Sequence, residues 1–121
     1  MNDKTIELLE RTFIFGVNIL KFLRKLPDDY IYRIPKGQLG RSSVSIGSNY
    51  EEAQGAVSKR DFTNKIGISY KEARESVYWL RVLNELYEDE QYKSSFNCYL
   101  KESIELKAIF LTIKKSSSEN Q

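Results

Sequence analysis

The sequence predicts an all-α protein built as an antiparallel up-down-up-down four-helix bundle, and three observations predict it. Apolar residues recur at steps of three and four along four separate stretches, the spacing of a helix face packed on its neighbours. No stretch shows the strict alternation of a half-buried strand. The breaks, at Leu26-Pro27, Gly55 and Asp89-Glu90, are few and divide the chain into helices long enough to pack side by side.

The first helix is expected over about residues 3–26, with Ile6, Leu9, Phe13, Gly16, Leu20, Leu23 and Leu26 as its inward seam. Pro27 stops it, and residues 28–34 read as a loop over one end of the bundle. Pro35 suits a first helical turn, so the second helix is placed at about 36–54, with Leu39, Ser43, Ile46, Tyr50 and Ala53 inward. Ser42, Ser43, Ser45, Gly47 and Ser48 are small, which lets backbones approach closely and predicts the tightest packing there. Gly55 is positioned for a left-handed cap.

The third helix, about 59–88, opens on a capping-box variant, Ser58 with Asp61, flanked by Val57 and Phe62 as a hydrophobic staple. Its seam runs Phe62, Ile66, Ser69, Ala73, Ser76, Leu80, Leu83 and Tyr87. The fourth, about 91–115, repeats the pattern at Tyr92, Phe96, Tyr99, Ser103, Leu106, Phe110 and Ile113, leaving 116–121 as a polar tail expected to fray. A helix of about 25 residues is roughly 37 Å long. At 121 residues the chain holds one domain, 1–121, with one core.

The last two helices carry more apolar residues than one core needs, about three-sevenths of each helix. Ile68, Trp79, Val82 and Leu86 form a second stripe on the third; Leu100, Ile104, Ala108 and Leu111 form one on the fourth. Two readings stand: a wide core with singly exposed apolar residues, or a subunit interface through Ile68, Trp79, Val82, Leu86, Leu100, Ile104 and Leu111.

Composition narrows the function by subtraction. There is no His, which removes His-based triads, imidazole acid–base chemistry and every His-containing metal site. Cys98 is the single cysteine, so internal disulfides and multi-thiolate sites are excluded, and it reads as a packed thiol on a cytosolic protein. No signal peptide or membrane span is expected. Glu51, Glu52, Glu72 and Glu75 are the only carboxylate cluster to consider for a metal, and without His they fall short of the di-iron pattern. They read as solvated or salt-bridged, with Lys71–Glu75 and Lys101–Glu105 as ordinary i, i+4 pairs. No nucleophile elbow, phosphate-binding Gly-rich loop or dinucleotide fingerprint is present. No enzyme activity, cofactor or metal is expected.

The 19 basic and 17 acidic residues give a net charge of +2, too small for a duplex-binding surface unless the cations are segregated or multiplied by assembly. The candidate nucleic-acid contacts are Arg41 and the set Lys59, Arg60 and Lys65, which the topology is expected to place at opposite ends of the bundle. Repetition of these spots around a ring of protomers would strengthen phosphate binding.

The segment Gln38-Leu39-Gly40-Arg41-Ser42-Ser43-Val44-Ser45-Ile46-Gly47-Ser48-Asn49, then Glu52-Ala53, Ser58-Lys59-Arg60-Asp61-Phe62, Ile68, Lys71-Glu72-Ala73-Arg74-Glu75 and Tyr78-Trp79-Leu80, resembles the four-helix bundle proteins encoded by intervening sequences in bacterial 23S ribosomal RNA genes. The resemblance covers nearly the whole chain, including Leu26-Pro27. It implies an antiparallel bundle that assembles as a homopentamer and has no assigned enzymatic activity. A related branch comprises the accessory variability proteins of diversity-generating retroelements, basic pentamers that bind a reverse transcriptase and nucleic acid; the net +2 here departs from that basic character. Within the motif Arg41 has a structural role open to it as the partner of Glu72 or Glu75, Asp61 as a cap, and Asn49 and Glu52 as hydrogen-bonded groups between helices or subunits. The resulting expectation is a non-enzymatic homo-oligomer with a structural or adaptor role, contacting RNA or a nucleoprotein; the alternative is a protein–protein module with no nucleic-acid contact.

Overall fold

The computed structural model describes residues 1–119. Among them are α1 (Asp3–Leu23), α2 (Tyr30–Gln54), α3 (Lys59–Leu86) and α4 (Lys93–Glu119), with a single 3₁₀ turn at Glu90–Tyr92 before α4 and no strand. Consecutive helices pack broadly on one another, whereas α1 and α4 meet along a thin line. Each helix runs opposite to the one before it: Thr12 lies against Gly47 and Gly16 against Val44, Ser42 bonds Ser76 while Ile46 bonds Ser69, and Thr63 bonds Ser117 while Asn84 bonds Lys93.

α2 begins at Tyr30, well before Pro35, and takes up most of the expected loop. The cause is Asp29, whose carboxylate accepts from the backbone N–H groups of Ile31 and Tyr32 at 2.9 and 3.1 Å. This anchors the helix start more strongly than a proline can. Pro35 then sits buried in the second turn, costing one backbone donor. Lys36 ties the short α1–α2 connection by donating to the carbonyls of Leu26 and Pro27 at 3.2 and 3.1 Å.

The other ends differ from expectation in smaller ways. Ser58 accepts from the Asp61 N–H at 3.0 Å, and Asp61 accepts from the Val57 N–H at 3.2 Å, one residue before the cap whose own N–H a capping box binds. The staple is not made, because Val57 is 92% exposed. Gly55 closes α2 at φ −101°, outside the left-handed region. α4 stays helical through Glu119, so the expected frayed tail is helix as far as that residue; positions 120–121 lie outside the described residues.

The core follows the expected seams of α2, α3 and α4, with Leu39, Ile46, Ile66, Leu80, Leu83, Phe96, Leu106 and Phe110 fully buried. Its ends are aromatic: Phe22 packs edge-on against Phe96 at 4.9 Å, and Tyr50 against Phe110 at 5.3 Å. Its middle is small and polar. Ser76 donates to the Glu72 carbonyl at 2.9 Å, which leaves Ser42 to donate across to Ser76 at 2.8 Å. Ser69 donates to the Ile46 carbonyl at 2.8 Å. These hydroxyls let α2 and α3 approach closely and satisfy one another; among the described residues no buried side-chain polar atom lacks a partner.

α1 departs most from its expected seam. Leu8, Thr12, Phe15, Ile19 and Phe22 are buried, while Ile6, Phe13 and Leu20 are 50%, 64% and 45% exposed. α1 is apolar on two sides, so periodicity alone does not choose between its stripes. The stripe containing Thr12 meets α2 where Gly47 carries no side chain, and a Cβ there would stand 3.1 Å from Thr12 Oγ1.

Candidate functional site

Arg41 lies near the middle of α2 and reaches across to α3. Its Nη1 donates to Glu72 Oε2 at 2.7 Å and its Nη2 to Glu75 Oε1 at 2.5 Å. Glu72 and Glu75 share a helix face by their i, i+3 spacing, and Trp79 adds an indole N–H to Glu75 at 3.2 Å. The Glu72 side chain is 9% exposed, so Arg41 is the cation that makes its burial affordable. The hydrogen bond to Glu75 and the field of both carboxylates raise the Arg41 pKa against a smaller opposing effect of burial. Partial burial pushes the Glu75 carboxyl up, but hydrogen bonds from Arg41 and Trp79 and the Arg41 charge outweigh it and hold the carboxyl below its ordinary value. The cluster carries a net negative charge, which suits it to clamp α2 on α3 and not to meet phosphate.

The remaining candidate cations stand elsewhere. Lys59 is about 20 Å along α3 from Glu72 and borders a shallow pocket with Phe62, Thr112 and Ile113. Arg60 is exposed. Lys65 pairs with Glu52 at 3.4 Å, bridging α3 to the end of α2. Arg41 is therefore mid-bundle, with Lys59 at an end, because α2 starts earlier than the proline suggested.

The carboxylates considered for a metal are divided among different duties. Glu72 and Glu75 hold Arg41, Glu52 pairs with Lys65, and Glu51 borders the α1/α2 groove. Among the described residues no group of three or more Cys, Asp or Glu side chains gathers where it could hold a metal ion. The expected Lys71–Glu75 and Lys101–Glu105 pairs yield to arginines of other helices: Glu75 bonds Arg41, and Glu105 bonds Arg11 at 3.3 Å.

The interface candidates are not gathered into one patch. Val82, Leu86 and Leu100 border a depression beside Arg81 and Glu85. Trp79 and Leu100 pack partly against the core, and Leu111 is half-buried. Ile68 and Ile104 are 40% and 48% exposed. Most of the exposed large apolar side chains lie on α1 and α2, where sequence reasoning did not place them. Leu9, Phe13, Val17 and Val44 line a groove of about 280 Å³ at the α1/α2 crossing, and Leu20 continues the strip. The signal was present in the sequence as the doubled stripe of α1.

A second groove, of about 650 Å³, follows the thin α1/α4 contact. Ile14, Phe15 and Tyr99 line it, and Glu7, Glu10, Glu102 and Glu105 border it. Arg11 spans it with a two-pronged bond to Glu102, at 2.7 and 2.6 Å. Those bonds raise the Arg11 pKa despite its partial burial. Burial pushes the Tyr99 phenol up, with a smaller push from Cys98. Cys98 is exposed on this groove and is not the packed thiol expected.

Fold and surface together define a class: a histidine-free antiparallel four-helix bundle whose buried polar groups cross-link helices. The family is specific. The model of the 23S rRNA-intervening sequence protein family matches residues 4–114, and the chain belongs to that family. It is similar to the crystal structure of a protein of unknown function from the S23 ribosomal protein family of Bacteroides thetaiotaomicron, with 29% identity and a TM-score of 0.81 over 93% of this chain and 98% of that one. No match is found among curated proteins. No helix among the described residues is long and apolar enough to cross a membrane.

Proposed function

We propose that this protein is a non-catalytic, self-assembling bundle that serves as a structural adaptor in the cytoplasm and contacts RNA or a nucleoprotein in its assembled form. The observation that carries self-assembly is the apolar strip of Phe13, Leu20 and Val44 left 64%, 45% and 40% exposed at the α1/α2 crossing. A strip of this kind, continuous with Leu9 and Val17, is the usual mark of an association surface. A second copy covers it most economically, because a closed ring buries one such surface on every protomer. Family resemblance favours five copies, about 70 kDa from a 14.1 kDa chain. A kinship of this family with the pentameric accessory variability proteins of retroelements is part of the same proposal, although a net charge of +2 departs from their basic character.

The test is the mass in solution at micromolar concentration. The native chain should weigh a multiple of 14.1 kDa, and Phe13→Glu, at an exposed position, should reduce it to the single chain without loss of helicity. A native protein that is monomeric overturns the reading. The α1/α4 groove favours a second one, a protein–protein module without nucleic-acid contact, since its four carboxylates outnumber Arg11 and Lys101 and leave it acidic, which repels phosphate and suits a basic helix. Binding of a lysine-rich helical peptide in place of RNA would establish it.

A further inference from the structure

The ion pairs of α3 and α4 are unevenly placed. On α3, Glu72 and Glu75 lie toward α2 and hold Arg41. On α4, Glu102 and Glu105 lie toward α1 and hold Arg11. Asp61 is taken up in the cap of α3. The carboxylates are thus drawn to the two outer flanks, and the line between α3 and α4 keeps the cations.

Arg60, Gly67, Arg74 and Arg81 recur every seventh residue along α3, and Lys93, Leu100, Lys107 and Lys114 do so along α4. Seven residues are two turns, so each set keeps to one side of its helix, drifting about 20° per repeat. Contacts between the helices fix how the two sets face. The Lys114 side chain lies 3.6 Å from where a Gly67 Cβ would be, and its Nζ is 5.8 Å from the centre of the Tyr70 ring. At the other end Lys93 donates to Asn84 at 3.1 Å. In this antiparallel register Arg74 stands level with Lys107, and Arg81 with Leu100.

Among the described residues Arg60, Arg74, Arg81, Lys107 and Lys114 have no carboxylate within ion-pair distance. Arg60, Arg74 and Arg81 are exposed, and Lys107 and Lys114 half-exposed. Glu85 shares the lower part of the line beside Arg81. The repeat is about 10.5 Å, and the span from Arg60 to Arg81 about 31 Å. Like charges held level across a seam repel, and a polyanion laid along it relieves that repulsion while releasing its own counterions. Tyr78, 55% exposed, is on the same side of α3 between Arg74 and Arg81, offering a ring for base stacking.

We propose that the α3/α4 line is the surface on which this protein holds a nucleic-acid backbone, with Arg60, Arg74, Arg81, Lys107 and Lys114 meeting phosphodiester groups and Tyr78 meeting a base. This rests on the reading that the assembled bundle contacts RNA, and it moves the contact from Arg41 to a surface on the opposite side of α3. It also supplies the segregation that a net charge of +2 by itself does not reveal.

The experiment is fluorescence anisotropy on the full chain with labelled RNAs longer than the line, a single strand of roughly 20 nucleotides and a hairpin with a stem of about 15 base pairs, over a salt series. Arg74→Glu/Lys107→Glu is compared with a control, Arg24→Glu/Lys25→Glu, whose residues stand at the C-terminal end of α1. Mass and helicity are measured on every variant. The native protein should bind one or both forms, with log Kd rising linearly against log salt. The seam variant, at native mass, should bind at least tenfold more weakly with a slope lower by about 2, while the control stays within twofold. Tyr78→Ala should weaken the single strand more than the duplex. Absence of binding at low salt, equal loss in the control, or loss that comes only with a changed mass overturns the proposal. In the last case the seam is an interface between copies. Failure of self-assembly shows instead in the native mass, so the two readings fail separately.

Discussion

Gly47 and Gly37 are both helical glycines of α2, yet they do opposite things. A Cβ on Gly47 would stand 3.1 Å from Thr12 Oγ1 and 3.3 Å from the Thr12 backbone, whereas one on Gly37 meets nothing within 4 Å. Gly37→Ala should therefore raise stability by about 0.5–1 kcal/mol through helix propensity and loss of unfolded-state freedom. Gly47→Val should lower it by about 1–3 kcal/mol, because α1 must be pushed off α2. Urea denaturation of the two variants checks both signs. Arg41 belongs to the same scale. Arg41→Ala strands Glu72 in a site where its side chain is 9% exposed, and about 1–2 kcal/mol should be lost, between the values for exposed and buried pairs. If the variant is as stable as the native chain, the clamp role assigned to Arg41 is wrong. The Arg41 pairing with Glu72 or Glu75 was among the roles the sequence offered, and the structure bears it out; the contrast between Gly47 and Gly37 was not legible, since it depends on which residue of another helix lies opposite.

At the scale of elements, ionic cross-links distinguish the seams. α2 and α3 are joined by Arg41 with Glu72 and Glu75 and by Lys65 with Glu52; α1 and α4 are joined by Arg11 with Glu102 and Glu105. Glu75 has its carboxyl pKa lowered in the folded chain, so it contributes stability that is complete above its unfolded value and is lost as pH falls through the lower folded value. Acid titration should show the native protein losing stability in that window, and Glu75→Gln should remove that part of the loss. The α3/α4 seam has the opposite character. Arg74→Gln/Lys107→Gln should be neutral or stabilising by up to about 0.5 kcal/mol at low salt, with the gain vanishing at high salt. A loss of stability would mean that these cations have carboxylate partners in the assembled protein. Element existence was legible: four stretches of 3.6-residue periodicity became four helices. The start of α2 was not, because the sequence reading rested on Pro35, whereas in the fold Asp29 accepts from the Ile31 and Tyr32 N–H groups and starts the helix earlier.

For the whole molecule, the question is which apolar surface is surplus. The seams of α2, α3 and α4 were correct as read, and of the second-stripe residues on α3 and α4 Trp79, Val82, Leu86, Leu100 and Leu111 are half-buried, Trp79 and Leu100 against the core. On α1 the periodicity was degenerate. Burying Thr12 and Phe15 exposes Phe13, and the exposed strip follows from that single rotation of the helix. Phe13→Glu should therefore change the assembly and leave the fold intact, with denaturation of the dissociated variant retaining a single cooperative transition.

By itself the sequence determined the number of helices, three of the four inward faces and the absence of histidine chemistry, because these depend on residue type and on spacing within one helix. Tertiary structure alone decided the rotation of α1, that Arg41 holds both Glu72 and Glu75 and not one of them, and, among the described residues, the separation of paired carboxylates on the flanks from Arg60, Arg74, Arg81, Lys107 and Lys114 along α3/α4. Those outcomes depend on the register between helices far apart in the chain, and a net charge of +2 carries no information about where on the bundle its cations lie.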